Sequence, residues 1–310
     1  MSLLRSLWAH ARPRMLPWLW LLLCVGVAYG YWERAANVGS FWIFLLPFSA
    51  WGFLHAGTLW LNAALDKDEG EVLFGGNQPI PEHLSLWAYG ALAVASALAF
   101  ASGLGVGLAC TGCCVLAVLY SHPRIAWKAH PLGGPLINVL GYGLLTPAGG
   151  MAVASSPLNG RSVLTLAVIA LTMLGLTFAA QAWQEEEDKG RGDRTLVATH
   201  GPRVTLWSAR LLIDAASLLA MGAAVYGWFP RSMLVALPGL IGVDLYFRSW
   251  LKQPNGGDAK WANRLVRGMA VVAAIAVVGS LVEYGMDWRR LQPFAGRGTA
   301  RVPQNWDLPF

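Results

Sequence analysis

Charged side chains are scarce in this sequence: 13% of the residues are Asp, Glu, Lys or Arg, while 55% are hydrophobic and the mean hydropathy is +0.47. Soluble domains carry roughly a quarter charged residues, so a soluble globular chain is excluded and a polytopic membrane protein is indicated. Cysteine is scarce too. Cys24, Cys110, Cys113 and Cys114 all lie within apolar runs, which excludes a disulfide scaffold. The Cys-x-x-Cys-Cys spacing has no His or acid beside it, so these read as small packing residues rather than a metal or redox site. No polar stretch is long enough to fold alone. With so little soluble surface, the net charge of +6 points to basic loops on one side of a membrane and not to nucleic acid. The first apolar run lacks an Ala-x-Ala cleavage site, so it reads as a retained span.

Apolar runs of the roughly 17–25 residues needed to cross a bilayer fall near Met15–Trp32, Phe41–Leu65, Leu84–Gly103, Leu104–Ser121, Pro135–Ser155, Val163–Trp183, Val204–Trp228, Ser232–Phe247 and Leu265–Met286. Nine spans are expected, the eighth being the shortest, with the termini on opposite sides. Many of the sixteen tryptophans lie near the ends of these runs, as in interfacial aromatic belts. If the N-terminus is cytoplasmic, that side gathers most of the Lys and Arg, from Arg5, Arg12 and Arg14 through Lys128, Arg194, Lys252 and Lys260. The other side keeps Arg34, Arg161, Arg231 and the arginines of the C-terminal end. This bias predicts an integral protein of the cytoplasmic membrane with its N-terminus in the cytoplasm. The polar loops after spans two, four, six and eight then share the cytoplasmic face. Residues 1–287 form the membrane domain and residues 288–310 a polar tail.

Two stretches stand out from the apolar background. The second span ends in Asn62-Ala63-Ala64-Leu65-Asp66-Lys67-Asp68-Glu69-Gly70-Glu71, and the sixth in Gln184-Glu185-Glu186-Glu187-Asp188-Lys189-Gly190-Arg191-Gly192-Asp193-Arg194-Thr195-Leu196. Each begins with an amide four residues before an aspartate, a spacing that shares one helix face. Oxygen-bearing ends of this kind suit a hard divalent cation and, through it, a pyrophosphate. Acids at a helix C-terminus oppose the dipole and repel one another, and a bound cation would relieve both penalties. The acidic run also fits a plain solvated helix end. Lys128, Arg194 and Arg124 are candidates to neutralise phosphate oxygens, although Lys128 and Arg124 also fit as positive-inside anchors.

Polar stripes run down three helices: His55, Thr58, Asn62 and Asp66 on the second, Asn138, Tyr142 and Thr146 on the fifth, and Thr177, Gln181, Gln184 and Asp188 on the sixth. Such residues inside a bilayer face a cavity or one another, so one chamber open to the cytoplasm is expected. For a single Thr or for His55, hydrogen bonding to neighbouring helices is the plainer reading. Arg210 with Asp214, and Asp244 with Arg248, are four apart and are expected to neutralise each other within their own helices.

In this order and on nine expected spans, these features resemble the UbiA superfamily of intramembrane prenyltransferases. The family pattern Asn-Asp-x-x-Asp-x-x-x-Asp corresponds to Asn62 through Gly70, and Asp-x-x-x-Asp-x-x-x-Gly-x-Arg-Thr-Leu to Gln184 through Leu196. The Gln78-Pro79-Ile80-Pro81 element, the loop ending in Lys128 and Gly141-Tyr142-Gly143 also match family segments. Ala63, Gly70, Gln78 and Gln184 replace residues that are charged in the family. The resemblance implies an all-α transmembrane bundle with a central cavity, a lateral opening, and a Mg²⁺ cofactor bridging an isoprenoid diphosphate. It further implies transfer of the prenyl group to a lipophilic acceptor, with membrane lipid as a further partner. Asp66 and Asp188 would be the catalytic acids, with Asn62, Asp68, Glu69 and Gln184 completing the metal set. Lys128, Arg194 and Arg124 would hold the diphosphate, and His55, Thr58, Asn138, Tyr142 and Gln181 would line the cavity. Terpene cyclisation or lipid binding without chemistry remain alternatives on the same fold. No protein partner is implied.

Overall fold

In a bilayer each backbone N–H and C=O must be satisfied within its own segment or barrel, and the apolar runs accordingly fold as helices. The computed structural model describes residues 3–34, 41–66, 79–124, 127 and 130–286, and of Phe41, Asp66 and Met286 the backbone alone. The helices are α1 (Leu3–His10), α2 (Leu16–Arg34), α3 (Leu45–Asp66), α4 (Leu84–Ser102), α5 (Leu104–Ser121), α6 (Gly133–Asn138), α7 (Thr146–Val153), α8 (Gly160–Gln181), α9 (Glu185–Arg191), α10 (Leu196–Val225), α11 (Leu237–Trp250) and α12 (Ala259–Met286). A π-helical stretch, Val139–Leu145, joins α6 to α7, making one continuous helix over Gly133–Val153. No strand occurs among the described residues. The polar tail, residues 288–310, lies outside them.

Among the described residues seven helices are long and apolar enough to cross a membrane, not nine. The expected first and eighth spans exist as α2 and α11 but fall short. α2 has 19 residues, dilutes its leucines with aromatics and ends in Glu33-Arg34. α11 starts only at Leu237, after a 3-10 turn over Arg231–Ala236, and has 14 residues. At 1.5 Å per residue that is about 21 Å, against a hydrocarbon core of about 30 Å. The tight turn expected between the third and fourth spans is present: Gly103 alone separates α4 from α5, at φ 142°, which suits a residue without Cβ.

The helices pack in two groups. Trp51, Leu61, Leu92 and Cys110 centre the core of α2–α7, and Ile213, Phe247, Trp250 and Leu265 that of α8–α12. A third cluster, in which Tyr29 and Met151 meet Ala220, Ala224 and Phe229, ties the groups together. Small residues let backbones approach closely. A Cβ on Gly26 would lie 2.0 Å from Pro147 O, and one on Gly150 2.2 Å from Leu23 O, so α2 lies directly on α7. α12 returns to pack on α2, where Trp32 Nε1 and the Ser232 amide both donate to the Glu283 carboxylate, at 3.2 and 2.8 Å. The four cysteines are free thiols, three of them buried in the first core.

Two expectations are corrected here. The acids of the second motif do not end a membrane helix: α8 stops at Gln181, and Glu185, Glu186, Glu187 and Asp188 form the first turn of the separate helix α9. There they lie at a helix N-terminus, which favours negative charge. The intramembrane charges are not two isolated pairs either. Arg210 bridges from α10 to Asp244 on α11 at 2.6 Å, is 3.5 Å from Asp214, and Asp244 also holds Arg248 at 2.9 Å.

Candidate functional site

The polar stripes of α3 and of the fifth apolar run face one cavity of about 180 Å³. His55, Thr58 and Asn62 reach it from α3, and Asn138, Tyr142 and Thr146 from the π-helical stretch and its ends. The wider π turn brings residues four apart closer to a single line than an α-helix would, and π-helical turns concentrate at functional sites. Leu19, Leu116 and Ile137 supply an apolar wall.

Some of these groups are held by the fold. Thr58 Oγ1 donates to Leu54 O at 2.8 Å, Ser121 Oγ donates to Asn62 Oδ1 at 3.3 Å, and the buried Trp51 Nε1 donates to Thr146 Oγ1 at 3.2 Å. His55 Nε2 lies 3.5 Å from Arg12 O. The Asn138 amide and Tyr142 hydroxyl have no hydrogen-bond partner among the described residues, which leaves them open to a ligand.

The second motif is a compact ionic knot. Asp188 is 3% exposed; Thr195 Oγ1 donates to its Oδ2 at 2.5 Å and Arg191 Nη2 to its Oδ1 at 3.1 Å. Arg191 also reaches Glu187 at 2.9 Å and Asp193 at 3.2 Å, and Lys189 pairs with Glu185 at 2.7 Å. Burial pushes the Asp188 carboxyl above the usual carboxylate range, opposed by the Thr195 hydroxyl and the Arg191 guanidinium. Gln184 caps α9, its carbonyl accepting from the Asp188 amide at 2.9 Å. Where α8 gives way to α9, Gln181 Oε1 and Trp183 Nε1 are buried without partners among the described residues.

The cavity thus gathers His55, Thr58, Asn62, Asn138 and Tyr142, and does not include Gln181, Gln184 or Asp188. The single chamber with three striped helices is corrected to two, because Thr177 donates back to Met173 O on its own helix at 2.8 Å and α8 breaks before Gln184. Arg124 and Arg194 are exposed. Asp66 is the last residue of α3, one turn past Asn62, with its side chain outside the described residues. Asp68, Glu69 and Lys128 lie outside them altogether. No three His, Cys, Asp or Glu side chains cluster closely enough for a metal among the described residues. The donor chemistry of Asn62, Gln184, Asp188 and the acids after α3 is nonetheless all oxygen, which fits a hard divalent cation. Sequence reasoning missed Thr195, although a Thr just before an apolar run signals the helix cap it makes. It also missed Ser121 and Cys113, which carry no local signal beyond small size.

Known proteins share this fold. The sequence model of the UbiA prenyltransferase family matches residues 19–273. No curated protein sequence matches the chain. Among solved structures, a UbiA homologue from Archaeoglobus fulgidus bound to GPP and Mg²⁺ superposes with a TM-score of 0.70 at 19% identity, over 90% of this chain and 100% of that one. A digeranylgeranylglyceryl phosphate synthase gives 0.63 at 16% identity, over 92% and 99%. The apo UbiA homologue from Aeropyrum pernix K1 gives 0.62 at 18%, over 85% and 97%. At these identities the likeness is one of fold.

Proposed function

Because this chain belongs to the UbiA prenyltransferase family, we propose that it is a Mg²⁺-dependent intramembrane prenyltransferase moving a prenyl group from an isoprenoid diphosphate to a lipophilic acceptor. The observation that carries this reading is the cavity lined by His55, Thr58, Asn62, Asn138 and Tyr142, which ends at Asn62 one turn before Asp66. Two solved structures of a UbiA homologue from Archaeoglobus fulgidus, which share this fold, are bound to GPP or to DMAPP together with Mg²⁺. The Lys and Arg bias of the sequence supports a protein of the cytoplasmic membrane with its N-terminus and both acidic motifs on the cytoplasmic side.

Asn62, Asp66, Asp68, Glu69, Gln184 and Asp188 supply the oxygens that would hold the metal, which when bound stabilises negative charge on the departing diphosphate. Lys128, Arg194 and Arg124 add positive charge for the phosphate oxygens. The bond from the allylic carbon to the diphosphate oxygen breaks with its electron pair leaving on the diphosphate. The acceptor then forms the new bond to that carbon, and the proton it loses passes to the departed diphosphate. Asn138 and Tyr142, with unengaged polar groups, orient the donor. Leu19, Leu116 and Ile137 keep water from the allylic cation.

The test is incubation of purified protein with isoprenoid diphosphates of several lengths and Mg²⁺, with and without a membrane lipid extract. Diphosphate release that requires the extract supports transfer. Release with a hydrocarbon product and no extract makes the protein a terpene cyclase. Absence of turnover leaves a lipid binder, the reading favoured by the engagement of both Asp188 oxygens within the protein.

A further inference from the structure

Between α11 and α12 an open groove of about 390 Å³ runs along the surface of the bundle. Glycines make it. Nothing lies within 4 Å of a Cβ on Gly242 of α11 or on Gly268 of α12, whereas a Cβ on Gly239 would lie 2.9 Å from Val272 Cγ2. The helices therefore touch at one end of the groove and leave room towards the other. Its walls are apolar, and Val271 and Ile275, 58% and 38% exposed, open onto the space that a bilayer fills with acyl chains. The far end is polar, lined by Tyr246 and Arg264. The Tyr246 hydroxyl donates to Trp261 O at 3.0 Å, and its ring lies 5.1 Å from the Trp261 ring. Tyr and Trp gather at the level of lipid headgroups, which puts Arg264 at that depth. Arg264 is exposed and, among the described residues, has no carboxylate partner. Lys260, one turn earlier, is exposed as well. The neighbouring acids are engaged: Asp258 accepts from the Lys260 amide at 3.0 Å, and Asp244 is held by Arg210 and Arg248.

We propose that this groove holds one anionic phospholipid, with an acyl chain laid over Gly242 and Gly268 and the phosphate at Arg264 and Lys260. A methylene chain is narrow enough for a slot opened by two missing side chains, and a second helix, about 10–12 Å across, is not. The phosphate supplies the opposite charge that Arg264 lacks, and basic pockets between membrane helices take acidic headgroups in this way. A zwitterionic lipid brings its own cation to the same place and binds less well. The groove shares no lining residue with the polar cavity, so the lipid site is independent of prenyl transfer.

The experiment needs neither diphosphate nor metal. Full-length protein, stripped of lipid in detergent, is titrated with phosphatidylglycerol or with phosphatidylcholine of the same acyl chains, and bound lipid is counted by native mass spectrometry. Wild type should retain one phosphatidylglycerol at a several-fold lower concentration than phosphatidylcholine. Arg264→Gln keeps the slot and should weaken phosphatidylglycerol binding about fivefold, the worth of one basic side chain near an anionic headgroup, with phosphatidylcholine unchanged. Gly268→Leu fills the slot where no protein atom opposes it, and should abolish retention of both lipids. Leucine favours a helix interior over glycine, so this variant should melt no lower than lipid-free wild type, and Gly242→Leu on the facing wall repeats the test. Added phosphatidylglycerol should raise the melting temperature of wild type and not of either filled variant. Equal retention of the two lipids, or phosphatidylglycerol held as tightly by both filled variants as by wild type, overturns the proposal. So does a wild-type dimer that the filled variants turn into monomers, which would make the groove an interface between copies of the chain.

Discussion

Thr195 Oγ1 donates a 2.5 Å hydrogen bond to Asp188 Oδ2 and at the same time accepts from the Ala198 amide at 3.3 Å, so one hydroxyl caps α10 and fixes the buried carboxylate of α9. The second acidic motif and the helix that follows it are thereby locked together. Asp188→Asn keeps the shape and loses the charge. Product formation at saturating Mg²⁺ should fall by about a hundredfold or more if that charge holds the cation, with the protein still folded. Near wild-type turnover would withdraw the metal role.

The same carboxyl predicts a pH effect in the metal-free protein. Its folded pKa is raised, chiefly by burial, so the folded state holds the proton more tightly than the unfolded chain does. Its contribution to stability is fully present below the ordinary carboxylate range and is lost as pH rises through the raised pKa. Melting wild type and Asp188→Asn side by side with chelator from acid to neutral pH should show the variant gaining relative stability as pH rises. Thr195→Val removes a hydrogen bond that lowers this pKa, and should move the transition upward. A difference between the melting curves that does not change with pH would contradict the assignment.

Much of the cavity was legible because polar residues in a bilayer are rare and helical spacing is strict. His55, Thr58 and Asn62, like Asn138, Tyr142 and Thr146, could be placed on their faces by counting. The break after Gln181 could not. No glycine or proline marks it; Gly256, far along the chain, approaches so closely that a Cβ there would sit 2.0 Å from Ala182 O. The Arg210–Asp244 bridge was equally hidden, since periodicity proposes partners four residues away and this partner is 34 residues on.

The close seat of α2 on α7 predicts a contrast between glycines. Gly26→Ala places a Cβ 2.0 Å from Pro147 O, backbone that cannot rotate aside, whereas nothing lies within 4 Å of a Cβ on Gly90. Gly26→Ala should cost about 1–3 kcal/mol or more through overpacking. Gly90→Ala, in the interior of α4, should be neutral or stabilise by up to about 1 kcal/mol. Thermal stability in detergent measures both, and a neutral Gly26→Ala would mean that α2 does not rest on α7 as described.

The charge network between α10 and α11 reverses the expectation drawn from spacing alone. Counting along α10 makes Asp214 the partner of Arg210, but the guanidinium lies 2.6 Å from Asp244 and 3.5 Å from Asp214. The Arg210 side chain is 14% exposed and the Asp244 side chain 22%, so neither charge is well solvated. Asp244→Asn removes the closer partner of Arg210 and the partner of Arg248 together. Partial exposure reduces the cost of breaking a buried pair, which leaves a loss of about 1–3 kcal/mol. Asp214→Asn, whose carboxylate only flanks the bridge, should cost less than about 1 kcal/mol. Replacing both Arg210 and Asp244 by leucine should recover much of the loss, because well-packed apolar residues can substitute for a buried ion pair. The measurement is the melting temperature of the three variants beside wild type. If Asp214→Asn proves the more damaging, Arg210 is held within its own helix and the bridge between α10 and α11 contributes nothing to the fold.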